Sequence, residues 1–375
     1  MALVSLLLAM LATGAARAAG KLTAFGSRAG FARFALTNAK WDAKANGLVY
    51  SGLAPSSNPG TPDLATIESP EISVAKGFDH LIPSWNATTP PGGYLFVHAQ
   101  AKVDGVWTKW YKIAIWSRDN RPQPRTHFKD QDDDAARLDT DTLILKKRAS
   151  AYRLKVELCS VDGAAYPTLR FLSAQVNNSS KTTANIAPVK KIWGTELDVP
   201  ELSQLSVEGG NVWCSATSTA MVLGYWSRKL KKPEMTVGIT EAAQSIFDEA
   251  WGGTGNWIFN TAYAGEFAGM RAYVTRFESV SQIEQWIAKG VPVIVSVDYT
   301  KLNRRNSDNV TGHLMVIRGF TRTGSAIFND PWADFSKGQK VRKIFKRADL
   351  EYGWLGSNGS HGTVYLIHPE GWKGA

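Results

Sequence analysis

The stretch GGNVWCSATSTAMVLGYW, residues 209–226, contains Cys214, one of only two cysteines in the chain. Small and polar residues precede Cys214, and an apolar run without proline follows it, which predicts a helix that begins at or just before this cysteine. At a helix N-terminus, unpaired backbone N–H groups and the positive end of the helix dipole favour a thiolate over a thiol. The stretch therefore predicts a nucleophilic Cys214, and a buried structural cysteine is the alternative.

A cysteine nucleophile needs a base, and three histidines follow Cys214: His313, His361 and His368. His313 begins the strongly apolar segment GHLMVIRGF, so the end of a strand would hold it in place. His361 lies in the Gly-rich stretch GSNGSHGT, where a side chain is hard to position, and His368 ends a predicted strand just before a proline. We therefore rank His313 first and His361 second as the general base.

A catalytic histidine also needs a group that orients its second ring nitrogen. The segment SAIFNDPW ends a predicted strand at Asn329 and Asp330, one hairpin after His313. Adjacent antiparallel strands would bring the two strand ends together, so Asp330 is the predicted orienting residue and Asn329 the alternative, although a plain turn also explains this stretch. The uncharged amide of Gln204, which precedes Cys214, is the predicted donor to an oxyanion.

The chain has 375 residues, long enough for two domains. Residues 19–176 alternate apolar and polar positions, as in GGYLFVHAQAKVDGVWTKWYKIAIW, with a turn predicted at Asp104-Gly105. This pattern predicts an all-β domain, an antiparallel sandwich of jelly-roll type. Residues 177–191 are polar and aperiodic, which is typical of a linker. Residues 192–375 place helices before a run of strands, which predicts an α+β domain.

Residues 1–18, MALVSLLLAMLATGAARA, are an apolar run that ends in an A-x-A site. This is typical of a cleaved secretory signal peptide, and a buried N-terminal helix is the alternative. The run is too short for a comfortable membrane span, and no other stretch approaches one. The sequence therefore predicts a secreted protein, extracellular or periplasmic, with no transmembrane segment after signal cleavage.

The formal net charge of +10 would draw an exported protein to anionic partners such as wall polymers. No nucleic-acid-binding motif is present, so no nucleic-acid partner is predicted. Exposed tryptophans of the β-rich part would stack on sugar rings and bind a glycan, whereas burial in the core explains them equally well; these residues are Trp85, Trp107, Trp110 and Trp116. Trp107 and Trp110 have opposite strand parity, which predicts that they lie on different faces.

Neither a metal nor another cofactor is predicted. Residues 130–141 contain six aspartates, but the glycine and glutamate of an EF-hand loop are missing, so a solvated loop is favoured over a calcium site. The sequence has no metal-ligand spacing of the H-E-x-x-H or C-x-x-C kind. In an exported chain Cys159 and Cys214 are candidates for a disulfide, but they fall in different predicted domains, so a bridge is the less favoured alternative.

Several segments resemble, in the same order, the papain-like cysteine peptidases of the bacteriocin-processing type (cysteine peptidase family 39), in particular their secreted relatives. These segments are VPELSQ, WCSATSTAMVLGYW, GNWIFNTAYA, GVPVIVSV, GHLMVIRGF and IFNDP, and they span roughly residues 192–370. The resemblance implies a papain-like α+β fold with Cys214 as nucleophile, His313 as base, Asp330 as orienting residue and Gln204 as oxyanion donor. Better-known members are fused to membrane exporters and cut leader peptides; this chain shows no ATPase motif, so leader processing is not carried over.

The predicted function is hydrolysis of peptide bonds by an exported cysteine peptidase, through a thioester intermediate. Its substrate would be a peptide or protein, with a cell-wall peptide among the candidates, and its β-sandwich is a candidate binder of a glycan or an anionic wall polymer. Two alternatives stay open: a peptidoglycan amidase or endopeptidase with the same triad, and a non-catalytic protein that binds the wall or a glycan.

Overall fold

The computed structural model describes residues 20–52, 64–179, 183–305, 312–356 and 360–374, so the predicted signal peptide lies outside the described residues. The first part of the chain consists mostly of strands, with a short helix α1 (Arg28–Phe31) after the first of them. The strands are β1 (Gly20–Phe25), β2 (Ala35–Thr37), β3 (Ala39–Asp42), β4 (Gly47–Tyr50), β5 (Leu64–Glu68), β6 (Ile72–Thr88), β7 (Gly93–Val103), β8 (Val106–Trp107), β9 (Tyr111–Trp116), β10 (Thr126–His127), β11 (Ala136–Asp139), β12 (Thr142–Ser160) and β13 (Thr168–Asn177).

Hydrogen bonds join these strands into one large antiparallel sheet, whose main path runs β10-β9-β7-β12-β6-β13-β4-β3. The long strand β12 pairs with β11 and β6 near its start, and with β7 and β5 near its end. Register shifts at Ala149 accompany this change of partners, because a bulge bends a strand and increases its twist. The predicted antiparallel β region is confirmed, and its finer assignment as a jelly-roll-like sandwich stays a prediction.

The local sequence explains these strands. On β12, Leu154 and Val156 are completely buried, while Lys155 between them reaches the surface, so one face of the strand is apolar. The predicted turn at Asp104-Gly105 is confirmed: Val103 pairs with Val106, and the two turn residues have φ of 50° and 82°. A two-residue hairpin loop with a type I′ turn requires positive φ at both central positions.

The second part of the chain mixes helices and strands. It begins with irregular backbone and short 3-10 turns at Lys190–Ile192, Gln204–Ser206 and Gly210–Val212. The elements that follow are α2 (Cys214–Leu230), α3 (Ile239–Ile246), α4 (Trp257–Glu266), β14 (Met270–Arg276), α5 (Val280–Ile287), β15 (Val293–Asp298), α6 (Tyr299–Leu302), β16 (Gly312–Phe320), β17 (Ala326–Asn329), β18 (Arg342–Phe345), α7 (Arg347–Leu355) and β19 (Thr363–Pro369). The predicted helix after Cys214 and the predicted late strands are confirmed.

The second sheet is antiparallel, with the order β14-β19-β15-β16-β17-β18. Helix α2 packs against β16, α3 and α4. Every residue of this helix from Ser215 to Ser227 is buried, which explains why its sequence lacks a charged face. No helix within the described ranges is long and apolar enough to cross a membrane.

The two parts pack against each other through β6, which contacts α4 and β14. One hydrophobic cluster runs across this contact, and within it the rings of Trp116 and Phe259 are 5.5 Å apart. Trp85 and Trp116 are completely buried here, so both are core residues. The buried Glu266 of α4 accepts hydrogen bonds from Trp116 Nε1 at 2.8 Å and from Thr89 N at 2.9 Å. The two parts therefore share a core, and the predicted domain boundaries stay a prediction.

Asn86 of β6 acts as a hydrogen-bonding partner for β14. Its Nδ2 donates to Ala272 O at 2.7 Å, and its Oδ1 accepts from Ala272 N at 3.1 Å, with the side chain completely buried. Asn86→Ala would leave both backbone groups unpaired, and we expect the free energy of unfolding in urea to fall by about 2–5 kcal/mol. The exposed Asn185→Ala is the control, expected within about 0.5 kcal/mol of wild type; equal stability of the two variants would contradict the prediction.

Candidate active site

Cys214 is the first residue of α2, as predicted. No side chain caps this end of the helix, so the N–H groups of its first turn stay available to other partners. The thiol is partly buried and belongs to no disulfide. It is hydrogen bonded to His313 and to the backbone of Leu314 and Ser215. Donors around a cysteine sulfur favour its ionised form.

His313 lies near the start of β16, opposite Val297 of β15, and is 6% exposed. Its Nε2 is 2.8 Å from Oδ1 of Asp330, the residue that follows β17. Because Nε2 engages this carboxylate, Nδ1 is the ring nitrogen left to face Cys214. The ring of Tyr299 packs edge-on against the imidazole, with the centroids 4.7 Å apart. The structure thus brings Cys214, His313 and Asp330 into one continuous chain of contacts.

Hydrogen-bond donors surround the completely buried Asp330 carboxylate. Besides its contact with His313, Oδ1 accepts from Trp332 N at 3.0 Å. Oδ2 accepts from Tyr299 OH at 2.7 Å and from Lys343 Nζ at 2.5 Å. Burial by itself would raise the pKa of Asp330, but the bonds and charges of His313 and Lys343 outweigh burial and hold this pKa well below its usual range. The carboxylate is therefore ionised, and both of its oxygens are held in place.

The protonation states of Cys214 and His313 depend on each other. Burial would lower the pKa of His313, but the hydrogen bonds to Asp330 and Cys214 raise it to about 9. Burial would likewise raise the pKa of Cys214, but the hydrogen bond and charge of His313 lower it below the ordinary value of a thiol. Because the pKa of His313 is raised and that of Cys214 is lowered, an imidazolium–thiolate pair is favoured at neutral pH. The two groups share their protons, so they titrate as a pair.

Gln204 begins the turn Gln204–Ser206 and is 1% exposed. Its Nε2 donates to Gly210 O at 2.8 Å, and its backbone N–H donates to Pro331 O at 2.9 Å. Gly210 lies in the turn that leads into Cys214, and a Cβ at this position would overlap the Gln204 carbonyl. These bonds tie Gln204 to the segment before Cys214 and to the residue after Asp330.

Asn329, the alternative orienting residue, points away from the imidazole. Its Nδ2 donates to Pro200 O at 2.9 Å, and its Oδ1 accepts from Arg318 at 2.8 Å. Neighbouring residues at the end of a strand project to opposite faces, so Asn329 and Asp330 cannot both reach His313.

The other two candidate histidines lie elsewhere. The ring of His361 is 6.4 Å from that of His80 in β6, at the contact between the two parts of the chain. His368 stacks on Trp286, and its Nδ1 is bonded to the carbonyl of Pro369. Of the three histidines, only His313 joins Cys214.

Cys159 is a free cysteine in β12 and is 2% exposed. Burial raises the pKa of its thiol to about 12. The disulfide to Cys214 that the sequence left open is not formed. Since Cys159 is protonated at neutral pH, the two thiols differ strongly in their expected reactivity.

Two residues of the site were missed from the sequence: Tyr299 and Lys343. Tyr299 directly follows β15, the strand that pairs with β16, and this adjacency is a signal that sequence analysis could have used. Lys343 lies on β18 and reaches Asp330 because β17 and β18 pair side by side. No local pattern marks a lysine on an amphipathic edge strand as a partner of a buried carboxylate.

The prediction that Trp107 and Trp110 lie on different faces is wrong. Arg153 stacks over the ring of Trp107 at 4.4 Å, and Lys155 lies 5.2 Å from the ring centroid of Trp110. Arg153 and Lys155 are two residues apart on β12, so their side chains share a face. Strand parity does not apply to Trp110, because β8 ends at Trp107 and β9 begins after Trp110.

The aspartate-rich segment is held by ion pairs. Asp132 is 2.8 Å from Lys146, and Asp133 is 2.8 Å from Lys109 and accepts from Tyr111. Among the described residues, no group of three or more His, Cys, Asp or Glu side chains is arranged to hold a metal ion.

Comparisons with known proteins define the class of this chain. Residues 196–360 match the family model described as "Peptidase_C39 like family", and residues 22–177 match the model described as "Peptidase C39 N-terminal domain". The class is that of the cysteine peptidases. The chain belongs to the C39-like peptidases, so both the resemblance to family 39 and the prediction of a cysteine-type peptidase are confirmed.

The crystal structure of a C39-like peptidase from Bacillus anthracis is 18% identical and covers 46% of this chain and 98% of its own, with a TM-score of 0.34. A search of the curated proteins finds no match.

Lys343 tests the electrostatics of the site. We expect Lys343→Met to raise the pKa of His313, because the negative charge of Asp330 then acts on the imidazolium without a competing cation. The alkaline limb of kcat/KM should move upwards by about half a pH unit. Lys343→Arg keeps the charge and is expected to keep the wild-type pH profile. A lower kcat with an unmoved alkaline limb in Lys343→Met would mean that Lys343 only supports the local structure.

Proposed function

We propose that this chain is an exported cysteine peptidase that hydrolyses peptide bonds through Cys214, His313 and Asp330 on a papain-like α+β fold. One observation carries the proposal: the thiol at the start of α2, the imidazole and the buried carboxylate contact one another in sequence. This arrangement provides a nucleophile, a base and an orienting group within hydrogen-bond reach.

Acylation follows from the charges of this pair. The Cys214 thiolate attacks the carbonyl carbon of the scissile amide, and the carbonyl π electrons move to its oxygen. The imidazolium of His313 then donates its Nδ1 proton to the departing amine nitrogen, and the C–N bond breaks to leave a thioester on Cys214. Asp330 remains ionised throughout and holds Nε2–H, which keeps Nδ1 directed at the reacting atoms.

The oxyanion needs donors that carry no titratable proton. The backbone N–H of Cys214 is one candidate, since no side chain caps the start of α2. The Nε2 amide of Gln204 is the other: one of its two N–H groups donates to Gly210, which leaves the second available for the substrate.

Deacylation reverses the proton transfers. Neutral His313 accepts a proton from a water molecule while the oxygen of that water attacks the thioester carbonyl carbon. The tetrahedral intermediate collapses, the C–S bond breaks to release the carboxylic acid, and Cys214 returns as a thiolate beside a protonated imidazole. The cycle uses one water per bond cleaved.

Export is part of the proposal. It is supported by the apolar N-terminal run with its A-x-A site and by the net charge of +10, which suits an environment of anionic polymers. The substrate of an exported peptidase would be an extracellular or periplasmic peptide, with wall peptides among the candidates.

The test is hydrolysis by the mature protein of three substrates in parallel: casein, a proteome-derived peptide library and purified peptidoglycan, with cleavage products read by mass spectrometry. Cleavage of casein or library peptides that iodoacetamide abolishes supports a general peptidase. Cleavage of peptidoglycan alone would assign a wall endopeptidase. No cleavage of any substrate by a protein that is folded and retains a reactive Cys214 would contradict the proposal.

A further inference from the structure

A cavity of about 420 Å³ lies where the N-terminal sheet meets the second part of the chain. His80 of β6 and Asp141, at the turn between β11 and β12, contribute to its wall from the first part. Trp257, Arg276 and His361 contribute from the second part. A pocket whose walls come from both parts exists only because the N-terminal sheet is docked onto the peptidase part.

The walls of this cavity are connected to the site around Cys214. Ser215, the residue after Cys214, is bonded through its Oγ to Tyr365 OH at 3.0 Å. On another side, Thr254, next to the cavity residue Gly255, donates to Val212 O at 3.3 Å. Burial raises the pKa of Tyr365, and the charges of Asp141 and Cys214 add to this effect, so its hydroxyl lies within electrostatic reach of both groups. Sheet register relates the cavity to the site more directly: Arg276 pairs with Thr363 at the start of β19, β19 pairs with β15, and Val297 near the end of β15 pairs with His313. Arg276 and His313 therefore lie at the same end of the second sheet.

Arg276 is the unusual group in this cavity. The residue is 8% exposed, and its Nε donates to Thr363 Oγ1 at 3.1 Å. Among the described residues no carboxylate forms an ion pair with its guanidinium. Burial lowers the pKa of Arg276 to about 10 against the opposing effect of the Asp141 and Asp79 charges, so the side chain is still a cation at neutral pH. The charges of Asp141 and Asp79 act on this guanidinium without contacting it, so a ligand carboxylate could supply the direct counter-charge that a buried cation favours.

The acidic groups of the cavity are already engaged. Asp141 accepts from Trp257 N at 2.8 Å with one oxygen and from Thr142 Oγ1 at 2.9 Å with the other. Asp139 is paired with Arg137 at 3.1 Å. Nδ1 of His361 is buried without a hydrogen-bond partner, and it can donate to an anion in the tautomer that carries its proton on Nδ1. The groups still free to bind a ligand are therefore a cation and an imidazole nitrogen, which suit an anion.

We propose that this cavity is a substrate subsite in which Arg276 binds a carboxylate of the peptide, either a glutamate or aspartate side chain or a terminal carboxylate. The guanidinium offers a planar pair of N–H donors that matches a carboxylate in a bidentate geometry, and the tryptophan walls pack against the adjoining chain. The inference rests on the proposed peptidase function and names its substrate class: peptides with an acidic group near the scissile bond.

The test measures binding to full-length Cys214→Ala protein by isothermal titration calorimetry, so that it does not depend on hydrolysis. The probes are acetylated alanine hexapeptide amides in which a single glutamate is moved along the sequence, a matched glutamine series, and the all-alanine peptide with a free or amidated C-terminus. We expect one glutamate position, or the free C-terminus, to bind at least about tenfold more tightly than its neutral counterpart. The two arms distinguish a side-chain carboxylate from a terminal one.

The preference should depend on Arg276. Arg276→Met is expected to abolish it, and Arg276→Lys to reduce it, because lysine keeps the charge but loses the bidentate geometry. Arg271→Met, which removes a half-buried arginine from the same strand that is paired with Glu370, is the control and should retain the preference. Equal binding of acidic and neutral peptides, or an undiminished preference in the Arg276 variants, would overturn the subsite. Hydrolysis without any acidic preference would overturn the subsite alone, and acidic binding without hydrolysis would overturn the peptidase function alone.

Discussion

Replacing Cys214 with alanine is expected to reduce kcat/KM for peptide hydrolysis by about 10⁴- to 10⁶-fold, the range seen when a residue of a nucleophilic triad is removed. The physical reason is that no other group near the site can form the thioester. Cys159, the second cysteine, is buried in the N-terminal sheet, where its pKa is raised to about 12. The measurement is the rate of cleavage of the best peptide found in the substrate screen, at a substrate concentration well below KM.

Cys159→Ser is the matched control, because it removes the other thiol of the chain and leaves the site intact. It should hydrolyse the same peptide within about twofold of wild type, since it changes no contact of Cys214 or His313. Cys214→Ser provides a second comparison: it replaces the thiol with a hydroxyl of similar size that ionises poorly, so its activity should stay close to that of Cys214→Ala. Retained hydrolysis in a folded Cys214→Ala protein would exclude Cys214 as the nucleophile.

Replacing His313 with alanine is expected to have the second-largest effect, because it removes the base and destabilises the thiolate together. Without the hydrogen bond and charge of His313, burial acts unopposed on Cys214 and raises the pKa of its thiol above the ordinary value near 9. In the Cys159→Ser background, alkylation of Cys214 by iodoacetamide should therefore be at least tenfold slower at pH 7 in His313→Ala than in the parent. Peptide hydrolysis should fall about as far as in Cys214→Ala.

The pH dependence of kcat/KM provides an independent test of the Cys214–His313 ion pair. The acid limb of kcat/KM should lie below the pKa of a free thiol, because Cys214 ionises early beside His313. The alkaline limb should appear near pH 9, where the imidazolium loses the proton that the leaving amine requires. His368→Gln is the control histidine, since His368 stacks on Trp286 away from Cys214, and its profile should match wild type. Alkylation of Cys214 that follows a free-thiol titration whatever occupies position 313 would contradict the ion pair.

Much of the secondary structure was predictable because it depends on short-range patterns. The helix that begins at Cys214 follows from an uninterrupted apolar run, and the strand that begins near His313 follows from the segment GHLMVIRGF. The Asp104-Gly105 turn follows from two residues that tolerate positive φ. The parity argument for Trp107 and Trp110 failed at the boundary of a two-residue strand, which no local pattern marks.

Which of the candidate residues form the site was harder to predict from the sequence. The sequence predicts His313 and Asp330 as neighbours because a hairpin joins their strands, with Asn329 as the less favoured alternative; in the structure Asp330 contacts the imidazole, whereas Asn329 is bonded to Pro200. Lys343 had no signal at all, since its contact with Asp330 depends on the pairing of β18 with β17.

Local sequence patterns are enough to place each reactive group within its own element: a thiol at a helix start, an imidazole at a strand start and a carboxylate at a strand end. Local backbone preferences and hydrophobic periodicity act over a few residues, so they can be recognised in the sequence. Which of these groups meet depends on tertiary contacts, because strand pairing and the docking of the N-terminal sheet set the distances between residues far apart in the chain. Through these contacts Lys343 reaches Asp330, and Arg276 lies in a cavity walled by both parts of the chain.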